Sequence, residues 1–217
     1  MDALMTKIQK FFPWNTMQKC MYVSGCVVFS IGAKFFIDSN LGVDPLDVLC
    51  IGMVKHMPLT MGTASGLIAI AFLSVWCVWN KQFPPLSPFF TTFAVGSMID
   101  LWNLLKIEQY TQAALTPYAI LFVGLMLCSF ASSLIIMSGI GIRIMDLVAI
   151  TIMKKWNWNF FSAKMLLEIF LFSSGWMLGG PVGVGTFAFL ALVGPFIQPF
   201  MKVNKQYLSL PNYGIAD

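Results

Sequence analysis

Charged side chains inside long apolar stretches are the residues of this sequence most able to do chemistry. Glu168 is the clearest case, in the run Ala163-Lys-Met-Leu-Leu-Glu-Ile-Phe-Leu-Phe172. A charge at a bilayer centre costs roughly 2.5–3.5 kcal/mol on insertion scales, so it needs a partner or a task. Lys164 lies one turn earlier on the same helix face and can pair with it. One reading makes Glu168 a proton-coupling or cation-binding group facing a cavity; the other makes Lys164–Glu168 a structural pair. Both stay open at this level. Asp47 and Asp146 end two related motifs, Gly42-Val-Asp-Pro-Leu-Asp47 and Gly141-Ile-Arg-Ile-Met-Asp146, which lie 99 residues apart. In the first, Asp44 is a helix N-cap and Pro45 the first helical residue, so Asp47 occupies the third position. A carboxylate there can satisfy free backbone N–H groups and favours the positive helix end. Capping explains both acids, and so does a site at membrane depth where two short helices start face to face; the readings are compatible. Arg143 precedes Asp146 by one turn, which favours a local ion pair over bidentate binding of an anion. Lys34 and Asp38 predict a similar pair that reaches the outer interface, and Asp100 an interface residue rather than a ligand.

The elements that must position these groups are apolar helices. The chain has 217 residues, 58% hydrophobic and 10% charged, against about 25% charged in soluble domains. Its formal net charge of +4 is spread over short connections, which argues against nucleic-acid binding. Six runs are long enough to cross a bilayer: 18–37, 61–79, 86–105, 115–139, 158–179 and 184–201. Two stretches, 45–57 and 144–155, are apolar but short, and read as re-entrant or interfacial helices. The 99-residue offset that joins the acidic motifs also aligns Ala64 with Ala163 and Ile68 with Leu167, and an offset of 98 aligns Gly96 with Gly194. We therefore expect an all-α integral membrane protein of six spans in two three-helix repeats, 18–105 and 115–203, each with one short helix. Three crossings per repeat force the second copy to insert upside-down, and transporters commonly build a central pathway this way. With the N-terminus inside, Lys7, Lys10, Lys19, Lys81, Arg143, Lys154, Lys155, Lys202 and Lys205 fall on the cytoplasmic side, and only Lys55 and Lys106 outside. Both termini are then cytoplasmic. Residues 1–17 form an interfacial segment with Leu4, Ile8, Phe11 and Phe12 at helical spacing, 18–203 a single transmembrane domain, and 204–217 a loose tail. The polar stretch 106–114 links the repeats.

Other motifs carry less. Gly62-x-x-x-Gly66 permits close helix approach, within one subunit rather than between two. Gly179-Gly-Pro-Val-Gly-Val-Gly-Thr186 lacks the Lys-Ser/Thr ending of a phosphate loop and reads as a turn between spans. Cys20, Cys26, Cys50, Cys77 and Cys128 form no CxxC pair, His56 is the lone histidine, and the 15 methionines are dispersed, so no metal or redox cofactor is expected. No nucleophile–base arrangement has a supporting motif, and the chain does not read as an enzyme.

Together these motifs resemble the bacterial YczE/YyaS/YitT membrane-protein family over residues 20–200. In the first half the likeness rests on Gly42–Asp47, Gly62 and Gly96-Ser-Met-Ile-Asp100. In the second it rests on Lys164–Glu168, Gly175-Trp-Met-Leu-Gly-Gly180, Gly183-Val-Gly-Thr186 and Val193-Gly-Pro195. The second copy departs by placing Arg143-Ile144 where the first has Asp44-Pro45, and Gly185-Thr186 opposite Ser87-Pro88; Lys164 stands where the family commonly has Arg. The resemblance implies a multi-pass protein of the bacterial inner membrane. The expected function is transport or export of a small solute through a cavity between the repeats. Asp47, Asp146 and Glu168 would line that cavity, with Arg143 and Lys164 as binding or coupling groups. The alternatives are a non-transporting scaffold or accessory subunit, working with a protein partner or as a homodimer, and a substrate-binding subunit of a larger transporter.

Overall fold

A computed structural model describes residues 14–83, 85–207 and 210–213; of the interfacial segment expected over residues 1–17, the first 13 lie outside them and Thr16 and Met17 already belong to the first helix. Every regular element among the described residues is helical. Helix α1 (Thr16–Ser39) starts at a capping box in which Asn15 Oδ1 accepts from the Gln18 N–H at 2.8 Å and Gln18 Oε1 accepts from the Asn15 N–H at 3.0 Å. It is followed by α2 (Pro45–His56), α3 (Met61–Asn80), α4 (Ser87–Leu104) and α5 (Glu108–Ala114). The second half contains α6 (Pro117–Ser138), α7 (Ile144–Trp156) and α8 (Phe160–Met177). The last helix, α9, runs from Val184 to Gln206 and widens into a π-helical turn over Phe189–Val193.

Length and apolarity make α1, α3, α6 and α9 membrane-crossing candidates. Helices α4 and α8 have 18 residues each, about 27 Å of helix, but they carry polar groups such as Asp100, Lys164 and Glu168. Helices α2 and α7, with 12 and 13 residues, reach only about 18–20 Å and fall short of the ~30 Å hydrocarbon core. Pro45 sets the start of α2, and Asn157, in the left-handed region at φ 54°, ends α7.

The α1–α6 pair forms the centre of the fold. Gly32 and Gly124 let the two backbones meet: a Cβ on Gly32 would come within 3.0 Å of both the Cys128 nitrogen and the Gly124 carbonyl oxygen. In a membrane such contacts replace the hydrophobic drive as the source of helix association. Helices α3 and α4 touch in the same manner at Gly62 and Gly96, so the Gly62-x-x-x-Gly66 motif is used within the chain. Asp100 adds an anchor that its sequence position does not reveal. From α4 its two carboxylate oxygens accept from the Met61 and Gly62 N–H groups at 2.8 and 2.7 Å, capping the start of α3. Helix α2 is wedged between α3 and α8, with Val48 and Cys50 fully buried.

Three local expectations change. Residues 106–114 include a helical turn rather than a plain connection, because Lys34 holds it down. Lys34 Nζ bonds Asp38 Oδ1 at 2.6 Å and Glu108 Oε2 at 2.7 Å, and Thr111 Oγ1 donates to Asp38 Oδ2 at 3.1 Å. For the same reason Lys34 is buried beneath α5 instead of snorkelling to the interface. The segment from residue 204 continues as helix to Gln206, and Tyr213 then returns to the end of α6, its N–H donating to the Met137 carbonyl oxygen at 2.8 Å.

Candidate functional site

Two short helices begin at the same place. The loop before α2 is fixed first: Gly42 adopts φ 108°, a left-handed backbone suited to glycine. The Gly185 N–H donates to the neighbouring Leu41 carbonyl oxygen at 2.7 Å, which crosses this loop over the start of α9. A Cβ on Gly42 would lie 2.6 Å from the Gly183 nitrogen, so the crossing needs the bare backbone. Asp44 then caps α2, its Oδ1 accepting from the Asp47 N–H at 2.8 Å. Asp47 is buried in the first turn, and among the described residues no donor reaches its carboxylate. The capping role foreseen for Asp47 is therefore taken by Asp44 alone. Asp47 is instead an acid enclosed beside Asp44, within the field of Arg143.

Helix α7 supplies Arg143 and Asp146 from the other half, and α8 supplies Lys164 and Glu168. Arg143 Nε lies 3.5 Å from Asp146 Oδ2, the local pair expected from their spacing. Lys164 Nζ bonds Asp146 Oδ1 at 2.9 Å and stays 3.9 Å from Glu168 Oε1. Lys164 thus serves mainly Asp146 across two helices rather than its helical neighbour Glu168. The Arg143 guanidinium rests 5.0 Å from the Phe29 ring centroid on α1 and 5.8 Å from that of Phe189 in the π-turn of α9. Cation–π contacts of this kind hold a desolvated guanidinium in place.

Two narrow clefts reach this group. One, of about 290 Å³ with its mouth included, lies between Asp44, Arg143, Met145, Glu168, Leu171 and Phe189. The other, of about 300 Å³, runs between α8 and α9 along Phe161, Lys164, Met165, Glu168, Leu190 and Val193. Glu168 and Phe189 belong to both. The enclosed part of each is only about 20–30 Å³, room for one water molecule and far below known ligand sites, so in this conformation the clefts are grooves rather than a solute chamber.

Arg143, Asp146, Lys164 and Glu168 therefore meet in one place, while Asp47 lies behind Asp44 and outside both cleft walls. Asp44, read from the sequence only as a cap, is the acid of the first half that faces a cleft. Phe29 and Phe189 escape notice in the sequence because aromatic residues in apolar helices are ordinary. Acids outnumber bases here: Asp44, Asp47, Asp146 and Glu168 face Arg143 and Lys164, all little exposed. The starts of α2 and α7 add roughly half a positive charge each. Four acids thus share two bases, and hydrogen bonding is poorest at Asp47 and Glu168. The carboxylates do not converge as metal ligands: among the described residues no group of three His, Cys, Asp or Glu side chains is placed to hold an ion.

Comparison with known proteins agrees with a membrane protein. The "Uncharacterized membrane protein YczE" of Bacillus subtilis (strain 168) is 23% identical over 198 residues, covering 90% of this chain and 89% of the relative. The "Uncharacterized protein YyaS" of the same organism is 26% identical over 195 residues, covering 89% of this chain and 97% of the relative. An uncharacterized protein of Haemophilus influenzae is 24% identical over 191 residues, covering 85% and 83%. No solved structure matches. The helices α1 to α9, with the charged group they enclose, fall within residues 16–202 but for the last turn of α9; over that stretch the chain matches, and so belongs to, the family of unknown function DUF6198.

Proposed function

We propose that the protein moves a small solute across the bacterial inner membrane through the charged group at the meeting of α2, α7 and α8. The observation that carries this reading is the convergence of two half-length helices, one from each half of the chain, on buried acids and bases beside an apolar cleft. Irregular backbone at membrane depth is tolerated where it is enclosed by protein or lines a cavity, and transporters place binding groups at such half-helix starts. In this reading α1, α3, α4, α6, α8 and α9 cross the membrane, and α2 and α7 enter partway. The halves form an inverted repeat, both termini are cytoplasmic, and the surrounding lipid covers the apolar exterior. Glu168 acts as the coupling group: protonation lowers the cost of enclosing it in apolar surroundings and biases which cleft widens. Asp146, held by two cations, keeps the site assembled. No residue is assigned a catalytic task and no cofactor is required.

The narrowness of the clefts supports a second reading, a substrate-binding or accessory subunit that captures a solute and depends on a partner for movement. One experiment separates them. Proteoliposomes holding the full chain would be loaded with a mixture of small metabolites, and the solutes lost or gained under an imposed proton gradient measured by mass spectrometry. Transport predicts at least one solute whose movement requires the protein and stops in Glu168→Gln while the variant still folds. Movement that continues unchanged in Glu168→Gln would sink the coupling role, and a profile matching protein-free vesicles would favour the subunit reading.

A further inference from the structure

The two helix pairs that close the halves are built differently. Helices α3 and α4 touch because Gly62 and Gly96 face each other: a Cβ on Gly62 would sit 2.5 Å from Ser97 Oγ, and one on Gly96 would meet the Gly62 Cα at 3.0 Å. At the matching places in α8 and α9 stand Phe161 and Gly194, and a Cβ on Gly194 would meet nothing within 4 Å. Phe161 stands at the cleft mouth where α3 has a glycine, and the π-turn over Phe189–Val193 swells α9 beside it. Such turns recur at functional sites. The cleft is held apart by the residues that line it. Its mouth, at the exposed Phe161 and Gly194, opens on the apolar exterior. Its floor is Glu168, the ninth of 18 residues in α8 and only 6% exposed. Among the described residues Glu168 accepts no hydrogen bond; its nearest cation, Lys164 Nζ at 3.9 Å, is bonded to Asp146 at 2.9 Å.

An apolar cleft that ends on a buried, poorly hydrogen-bonded carboxylate, where four acids share two bases, fits an amphiphilic cation of single charge. We propose that the α8–α9 cleft is a lateral binding site for an organic monocation carrying an apolar body, such as an alkylammonium. Its ammonium group sits on Glu168, with Asp44 beyond and Lys164, in the same wall, held on Asp146 at 2.9 Å; its body lies along Phe161, Met165, Leu190 and Val193 after entering from the lipid side. The Phe189 ring borders the same place. A divalent metal ion is poorly served, since the carboxylates do not converge. This inference rests on the transport reading and names the substrate class for that site.

The test is equilibrium binding, which needs no flux. Full-length protein in nanodiscs of zwitterionic lipid would be titrated with tritiated dodecyltrimethylammonium, with laurate as the anion of matched chain length. Saturable binding of the cation and none of laurate is expected. Glu168→Gln should weaken cation binding tenfold or more. Leu190→Trp, which fills the cleft and leaves every charge in place, should weaken it as well, so a folding defect in one variant does not decide the outcome. Absence of saturable cation binding, equal binding by both variants, or saturable binding of laurate alone would each overturn the proposal. Glu168-dependent cation binding without solute flux would keep this site and remove transport. Flux of small polar solutes without cation binding would remove this site and keep transport.

Discussion

At the scale of single residues, the acids that look alike in the sequence have different neighbours. Asp146 accepts from Lys164 at 2.9 Å and pairs with Arg143 at 3.5 Å, whereas Glu168 has only Lys164 at 3.9 Å. Removing one member of a buried ion pair strands the others, at a cost of about 3–5 kcal/mol. Asp146→Asn should therefore lower the thermal unfolding temperature in detergent much more than Glu168→Gln does. The reverse ranking would show that Lys164 relies on Glu168 after all. Glu108 makes a separate, pH-dependent prediction at the outer end of α1. Its hydrogen bond to Lys34, and the Lys34 charge, hold its carboxyl below the ordinary 4.5. A lowered carboxylate contributes its stabilisation in full above the unfolded value and loses it as pH falls through the folded one. Hydrogen exchange over 108–114 should quicken below about pH 4.5, and Glu108→Gln should show faster exchange already at neutral pH with less change on acidification. Because Glu108 is partly exposed, the effect is local, not a loss of the fold.

Among the elements, helix contacts are set by small residues, and the same residue type has opposite value in different pairs. Gly62→Val would drive a side chain into the Ser97 backbone, whose Cα lies 2.9 Å from where the Cβ would stand. Overpacking of this kind costs about 1–3 kcal/mol. Gly194→Ala, with helical backbone and open space around it, should be neutral or stabilising by roughly 0.5–1 kcal/mol, since alanine replaces a flexible residue inside a helix. Thermal unfolding of the two variants side by side checks the difference. Equal losses would mean that α8 and α9 close in the membrane. The α2 and α7 boundaries were legible from composition: Asp44-Pro45 marks a start, and a dozen apolar residues cannot cross a bilayer. That α5 is a helix was not legible, because its seven residues are too few to form one without Lys34 and Asp38 to hold them.

For the whole molecule, the proposed arrangement makes a prediction about sidedness. If both termini are cytoplasmic and all six long helices cross, residues 106–114 face outward and the turn after α3 faces inward. In a chain whose five native cysteines are replaced, Gln109→Cys should react with a membrane-impermeant maleimide in intact cells. Lys81→Cys should react only after the membrane is opened. Equal reaction of both in intact cells would break the six-span reading, while leaving the four apolar helices in place.

The order of residues alone gives a helical membrane protein, the limits of its helices other than α5 to within a turn or so, and acids that recur in two related settings. These follow from short-range physics: apolar length against bilayer thickness, proline and glycine at helix ends, and a repeat in the order of residues. Which charges meet is set by packing. Asp146 draws Lys164 away from Glu168, Asp44 rather than Asp47 reaches a cleft, and Phe29 and Phe189 close over Arg143. A charge one turn away in the chain competes with one brought close by packing, and the balance depends on distances that no spacing along a single helix specifies. The gap between α8 and α9 belongs to the same class, because it arises from what Phe161 and Gly194 face across two helices.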